Sequence, residues 1–156
     1  MKPGLCHTNC QQTLGVAERL CAGRGARLTP QRRQVLAILC ASQKPLGAYD
    51  ILDLLKREVP AAKPPTVYRA LEFLLQQGLV HRLESLNAYV GCVHPDHPHA
   101  SQFLICRGCG EVRELESQSV ERTLGSALRA CGFKADSRVV EVTGRCLRCS
   151  EQEEGV

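Results

Sequence analysis

The stretch Pro65-Thr-Val-Tyr-Arg-Ala-Leu-Glu-Phe-Leu-Leu-Gln-Gln-Gly78-Leu-Val-His-Arg-Leu-Glu-Ser-Leu-Asn-Ala-Tyr-Val-Gly-Cys92 changes its period halfway along. Before Gly78, the residues Val67, Ala70, Leu71, Leu74 and Leu75 recur at i, i+3, i+4, i+7 and i+8. That is one apolar stripe on a helix over about 65–77. Gly78 is a natural C′ residue at which such a helix stops. Beyond it, 79–84 and 88–92 read as two strands around the short turn Ser85-Leu86-Asn87. A helix with a polar outer face, followed directly by a hairpin, is how a winged helix-turn-helix ends.

The residues upstream complete that unit. Thr29-Pro30 combines an N-cap hydroxyl with the fixed φ suited to the first helical position, and opens a helix over about 30–42. Ile51, Leu54 and Leu55 mark a third helix, roughly 48–58, and an earlier one spans about 11–22. Residues 1–9 read as a loose tail. Downstream, His94-Pro-Asp-His97-Pro-His99 is irregular and reads as a connector over 93–100. The expected organisation is therefore a DNA-binding domain over 1–92, the connector, and a second domain over 101–156. In the second domain we expect strands at 102–106 and 111–115, a helix at 117–131 and a long strand at 133–143. The fold class is α+β. A unit this small is short of core and calls for a staple or a partner subunit.

Composition narrows the function. Of 156 residues, 44% are hydrophobic and 23% charged, which excludes disorder throughout. The longest apolar run, Val35–Ala41, is far below the ~18 residues of a membrane span, and the first residues lack the apolar core of a signal peptide. A cytoplasmic protein is expected. Residues 1–92 carry 12 Lys+Arg against 6 Asp+Glu, whereas 93–156 carry 8 against 10. A basic front half suits a polyanion, although ordinary solubility explains it equally well. G-x-S-x-G, Walker and H-E-x-x-H motifs are all missing. We expect neither catalysis nor a small-molecule substrate.

Ten cysteines dominate the chemistry. Cys106-Arg-Gly-Cys109 and Cys146-Leu-Arg-Cys149 are two C-x₂-C turns, each aiming two thiolates at one point, and together they make a tetrahedral S₄ shell suited to zinc. Redox or disulfide pairs are the competing reading. The intervening chain is longer than a simple zinc ribbon allows, so a folded helix and strand must bring the turns together. His81 and Cys92 fall on opposite strands of the hairpin, near His94, His97 and His99. A Cys, two His and a carboxylate would form a second, mixed site, but each residue alone reads as a solvated His or a packed Cys. Cys21, Cys40 and Cys131 read as packing residues. Cys6-His7-Thr8-Asn9-Cys10 reads as incidental, with no partner nearby.

For DNA, Arg69 is the candidate for a bidentate contact to guanine, flanked by Thr66 and Tyr68. An ion pair with Glu72 is its bland alternative. Tyr68 and Tyr49 suit phosphate or a thymine methyl, and Arg24, Arg27, Arg32 and Arg33 suit the phosphate backbone.

Arg27-Leu-Thr-Pro-Gln-Arg32, Ala62-Lys-Pro-Pro-Thr-Val-Tyr-Arg-Ala-Leu71, the His-rich loop leading to Phe103-Leu-Ile-Cys-Arg-Gly-Cys-Gly110, and the closing C-x₂-C occur in this order. Together they resemble the ferric uptake regulator family, and within it the members that sense zinc. The match runs from about residue 15 to 150. The resemblance implies a homodimeric bacterial repressor that binds double-stranded operator DNA through its winged helix. It implies one structural zinc on Cys106, Cys109, Cys146 and Cys149, and one regulatory zinc on His81, Cys92, His99 and Glu114, hence two per subunit. The family's His-rich run is broken here by prolines and an Asp, so His94 and His97 are left to a third metal site or to none. Relatives sense iron, manganese, nickel or peroxide on similar folds; a soft thiolate at Cys92 argues for zinc. The rival outside the family is a zinc-stapled thiol redox enzyme.

Overall fold

In the computed structural model the apolar stripe becomes helix α4 (Pro64–Gln76), which buries Val67, Ala70, Leu71 and Leu74. Residues 10–42, 44–96, 100–136 and 138–151 are described, so the tail, Cys6, His97 and His99 lie outside them. The chain divides into two compact units, Met1–Pro98 and His99–Val156.

In the first unit, α1 (Cys10–Gly23), α2 (Pro30–Ala41) and α3 (Ala48–Leu55) surround α4. The fully buried Val35, Leu36, Ile51, Leu55, Val67, Leu71 and Leu74 form the aliphatic core. Thr29 caps α2, accepting the Arg32 N–H, with Pro30 next to it. Helix α4 stops as a Schellman motif. The Gly78 and Leu79 N–H groups donate to Leu75 and Leu74, and Gly78 has φ +65°. Strands β1 (Val80–Leu83) and β2 (Ala88–Gly91) then pair antiparallel through the 3₁₀ turn Glu84–Leu86, which closes on Asn87 at φ 47°. The Leu46 and Tyr89 backbones exchange both hydrogen bonds, at 3.0 and 2.8 Å, fastening the wing to the segment before α3. Helix α3 ends three residues earlier than expected. Lys56, Arg57 and Glu58 form a hydrogen-bonded turn, since no apolar side chain follows Leu55 until Val59.

The second unit is a sheet of order β4-β3-β5. Strand β3 (Ser101–Cys106) pairs antiparallel with β4 (Val112–Leu115) and parallel with β5 (Val139–Gly144). Phe103, Ile105 and Val112 are buried beneath it. Helix α5 (Gln118–Ala130) and the single turn α6 (Leu147–Glu151) complete the unit. The expected strand over 133–143 begins only at Val139. Its first residues go instead to a second Schellman stop, in which Gly132 and Phe133 donate to Arg129 and Leu128. Within α5 only Gly125 is buried, and Leu104, Leu115, Val139 and Val142 are exposed, so this unit leaves apolar surface uncovered. Cys131, expected to pack, is exposed at the C-cap of α5.

Because Leu71 is 1% exposed at the centre of the four-helix core, Leu71→Ala should cost the first unit about 2–5 kcal/mol, measurable by urea unfolding. An unfolding midpoint equal to that of the unsubstituted chain would show that α4 does not organise this core.

Candidate metal centres and nucleic-acid interface

Parallel pairing of β3 with β5 brings the two cysteine turns together. The register sets Cys106 opposite Gly144, and the Arg107 N–H donates to the Gly144 carbonyl at 2.8 Å. Cys106 ends β3, Cys109 follows in the turn, Cys146 precedes α6 and Cys149 lies on it. Their four sulfurs lie within 4.8 Å of one another, with Cys109 and Cys146 at 3.9 Å. A Zn–S bond of about 2.3 Å sets tetrahedral edges of about 3.8 Å, so this cluster has the size of a zinc tetrathiolate.

Protonation supports the same reading. Backbone N–H groups of Cys109 and Cys146 lower the Cys106 thiol to about 6, the Cys146 N–H lying 3.3 Å from its sulfur. Cys149 is instead raised to about 12, chiefly by its hydrogen bond with Cys146 and by burial. Four thiols this close cannot all ionise unless a cation sits among them. The residues present therefore fit zinc, and Cys106, Cys109, Cys146 and Cys149 would hold it.

Two supporting residues escaped the sequence reading. At Gly108 an added Cβ would lie 2.8 Å from Cys149 Sγ and 2.9 Å from its Cβ, so only glycine lets the knuckles close. The x-Gly-Cys of the first knuckle carried that signal. Arg148, inside the second knuckle, hydrogen-bonds the Cys109 sulfur. Nearby, Arg113 pairs with Glu111 at 2.8 Å. These guanidinium groups offset the negative charge of a tetrathiolate.

In the first unit, His81 on β1 faces Val90 across the ladder. Cys92 lies two residues past Val90 and therefore on the same face of the hairpin. A ring nitrogen of His81 and the sulfur of Cys92 approach within 4.8 Å. Cys92 is buried, and its N–H donates to the Leu79 carbonyl at 2.9 Å. His94 is exposed just beyond. In the second unit, Glu114 lies half-buried on β4 opposite Phe103.

On α4, Arg69 and Tyr68 are exposed and Thr66 is half-buried; no Arg69–Glu72 ion pair is seen among the described residues. Tyr49 is 67% exposed on α3, and Arg27 is exposed before α2. Arg24, Arg32 and Arg33 each also have a partner within the first unit. Arg33 pairs with Glu18 of α1 at 2.8 Å. Arg24 donates to the Gln77 carbonyl at 2.7 Å. Arg32 donates to the Arg27 carbonyl at 2.7 Å and lies 3.7 Å over the Phe73 ring.

A winged helix in one unit and a four-cysteine cluster of zinc-site size in the other define a winged-helix protein with a candidate metal centre. The chain belongs to the ferric uptake regulator family, whose sequence model matches residues 23–143. It is 46% identical over 147 residues to the zinc uptake regulation protein of Escherichia coli (strain K12), covering 94% of this chain and 86% of that protein. It is 31% identical over 131 residues to the peroxide operon regulator of Bacillus subtilis (strain 168), covering 83% of this chain and 88% of that protein. Its fold matches a solved zinc uptake regulator complexed with zinc and DNA at TM-score 0.88 and 46% identity, covering 94% and 99% of the two chains.

Cys106→Ser or Cys146→Ser should lose one tightly held zinc together with the fold of the second unit. Gly108→Ala should weaken zinc retention with all four thiols still present. Metal analysis after dialysis against a chelator, alongside circular dichroism, checks both. Full zinc content and an unchanged melting curve in Cys106→Ser would refute the structural role.

Proposed function

We propose that the protein is a zinc-responsive transcriptional repressor of zinc-uptake genes, acting as a cytoplasmic homodimer on double-stranded operator DNA. The observation that carries the reading is the pairing of the buried Cys92 thiol with His81 on one face of the wing. Thiolate with imidazole is a donor set that favours zinc over manganese or iron. The zinc uptake regulation protein of Escherichia coli, related over most of this chain, supports it.

In this reading residues 1–92 bind DNA, 93–100 connect, and 101–156 form the dimer. The uncovered apolar surface of α5 and of the sheet is the natural seat of the partner subunit. Arg69, Tyr68, Thr66 and Tyr49 face the bases and nearby phosphates, and Arg27 adds a backbone contact. Arg32 holds the turn before α2 in place while its remaining donors face phosphate.

Two zinc ions are held per subunit. His81, Cys92, His99 and Glu114 are the regulatory ligands. A bound zinc supplies a four-coordinate crosslink there. Because His81 and Cys92 belong to the wing and Glu114 to the sheet, these ligands tie each reading head to the dimer body. The tied state favours the head spacing that matches two half-sites about 34 Å apart, a shift of populations and not a new fold. His94 and His97 are assigned no role in the switch.

Titration of operator binding against free zinc, iron and manganese tests the proposal, with tightly bound zinc counted beforehand. Cys92→Ser and His81→Ala should each keep the structural zinc and the dimer, lose about one zinc per subunit, and lose zinc-triggered binding. Operator binding by Cys92→Ser at the original zinc threshold would sink the switch. Arg69→Ala should weaken specific binding by about 1–3 kcal/mol and random-DNA binding much less. Equal losses on both would make Arg69 a phosphate contact.

A further inference from the structure

The sequence offers Cys10 no partner, but the fold supplies one. Cys10 is the first residue of α1, and its S–H donates to the Ala37 carbonyl of α2 at 3.7 Å. Cys40 lies three residues beyond Ala37, on the same face of α2. The Ala37 contact therefore sets the Cys10 sulfur one helical turn from Cys40, where the two thiols are near enough to perturb each other. Both side chains pack at the margin of the aliphatic core and are partly accessible. On its far side Cys40 is screened by β2, where a Cβ at Gly91 would lie 3.6 Å from its sulfur. Burial, with Cys10 alongside, raises the Cys40 thiol to about 12, so it stays protonated at neutral pH. The pair therefore has an outer sulfur, Cys10, and an inner thiol, Cys40, on two different helices.

We propose that Cys10 and Cys40 are a redox modification site of the first unit, forming a reversible disulfide by exchange with a low-molecular-weight disulfide. A disulfide needs Cβ atoms about 3.8 Å apart, and seating Cys10 on the Ala37 carbonyl brings it to the turn of α2 that carries Cys40, so bridging needs only a local adjustment. In the first step the Cys10 thiolate attacks one sulfur of the reagent. The new Cys10–S bond forms, the reagent's S–S bond breaks, and one reagent thiolate leaves and takes up the proton that Cys10 released. In the second step Cys40 gives its proton to solvent and attacks the Cys10 sulfur. The Cys10–Cys40 bond forms and the second reagent thiolate leaves and is protonated. Two protein thiols lose two electrons in total, and one reagent disulfide becomes two thiols. The bridge joins the first turn of α1 to the last turn of α2 and restricts the unfolded chain between them. Neither metal centre supplies a cysteine to it.

The test uses the zinc-loaded full chain in mixtures of glutathione and glutathione disulfide, quenched with iodoacetamide and mapped by mass spectrometry. The expected result is a Cys10–Cys40 linked peptide that grows with the oxidised fraction, leaves zinc content unchanged and disappears with dithiothreitol. Cys10→Ser and Cys40→Ala should each abolish that peptide and retain full zinc content. Should Cys40→Ala fold poorly, the mapping of the unsubstituted chain and of Cys10→Ser decides alone. The proposal is overturned if both cysteines stay alkylated across the series, if Cys10 ends as a stable mixed disulfide, or if it joins Cys6.

Discussion

The second unit depends on one electrostatic constraint. Four cysteine sulfurs are held within 4.8 Å of one another, too close for all four to ionise without a cation among them. The sheet supplies that geometry by pairing β5 parallel to β3, which sets the two knuckles side by side. The knuckles in turn fasten a sheet whose buried apolar set, Phe103, Ile105 and Val112, is small. A metal held there would couple its binding to the folding of this half of the molecule. Close approach depends on Gly108, because any side chain there would collide with Cys149.

The first unit rests on a different principle. Its helices bury a continuous aliphatic core around α4, and the Leu46–Tyr89 bridge fastens the wing to them. That division of labour suits a regulator. The aliphatic core lies apart from the wing face on which Cys92 and His81 approach within 4.8 Å, so a change at that face need not disturb the core. The arginines around α2 serve this head in two ways. Arg24, Arg32 and Arg33 brace it through the Gln77 carbonyl, the Phe73 ring and Glu18, whereas Arg27 and Arg69 stay exposed.

Much of this was legible in the chain of residues because the signals are local. Period and punctuation located α4, its stop at Gly78 and the hairpin. The C-x₂-C spacing identified the four sulfurs, and short-range order identified the family. The same local reasoning failed where two signals competed. Gly132 and Phe133 form the kind of helix stop seen at Gly78, but Phe133 together with Val139, Val140, Val142 and Thr143 reads as one long strand. A hydrogen-bonding role of the backbone has no hydropathy, so it did not show.

The sequence by itself determined the element types, the winged-helix pattern, the thiolate set and the membership in a family of metal-dependent regulators, since each is written in neighbouring residues. Only the tertiary structure decided which groups separated along the chain meet. It paired Arg33 with Glu18, laid Arg32 on Phe73, closed Gly108 against Cys149, and set Cys10 against Cys40. It also exposed Cys131. The physical reason is that these contacts depend on how helices and strands cross, and no period or spacing within one element encodes the position of another.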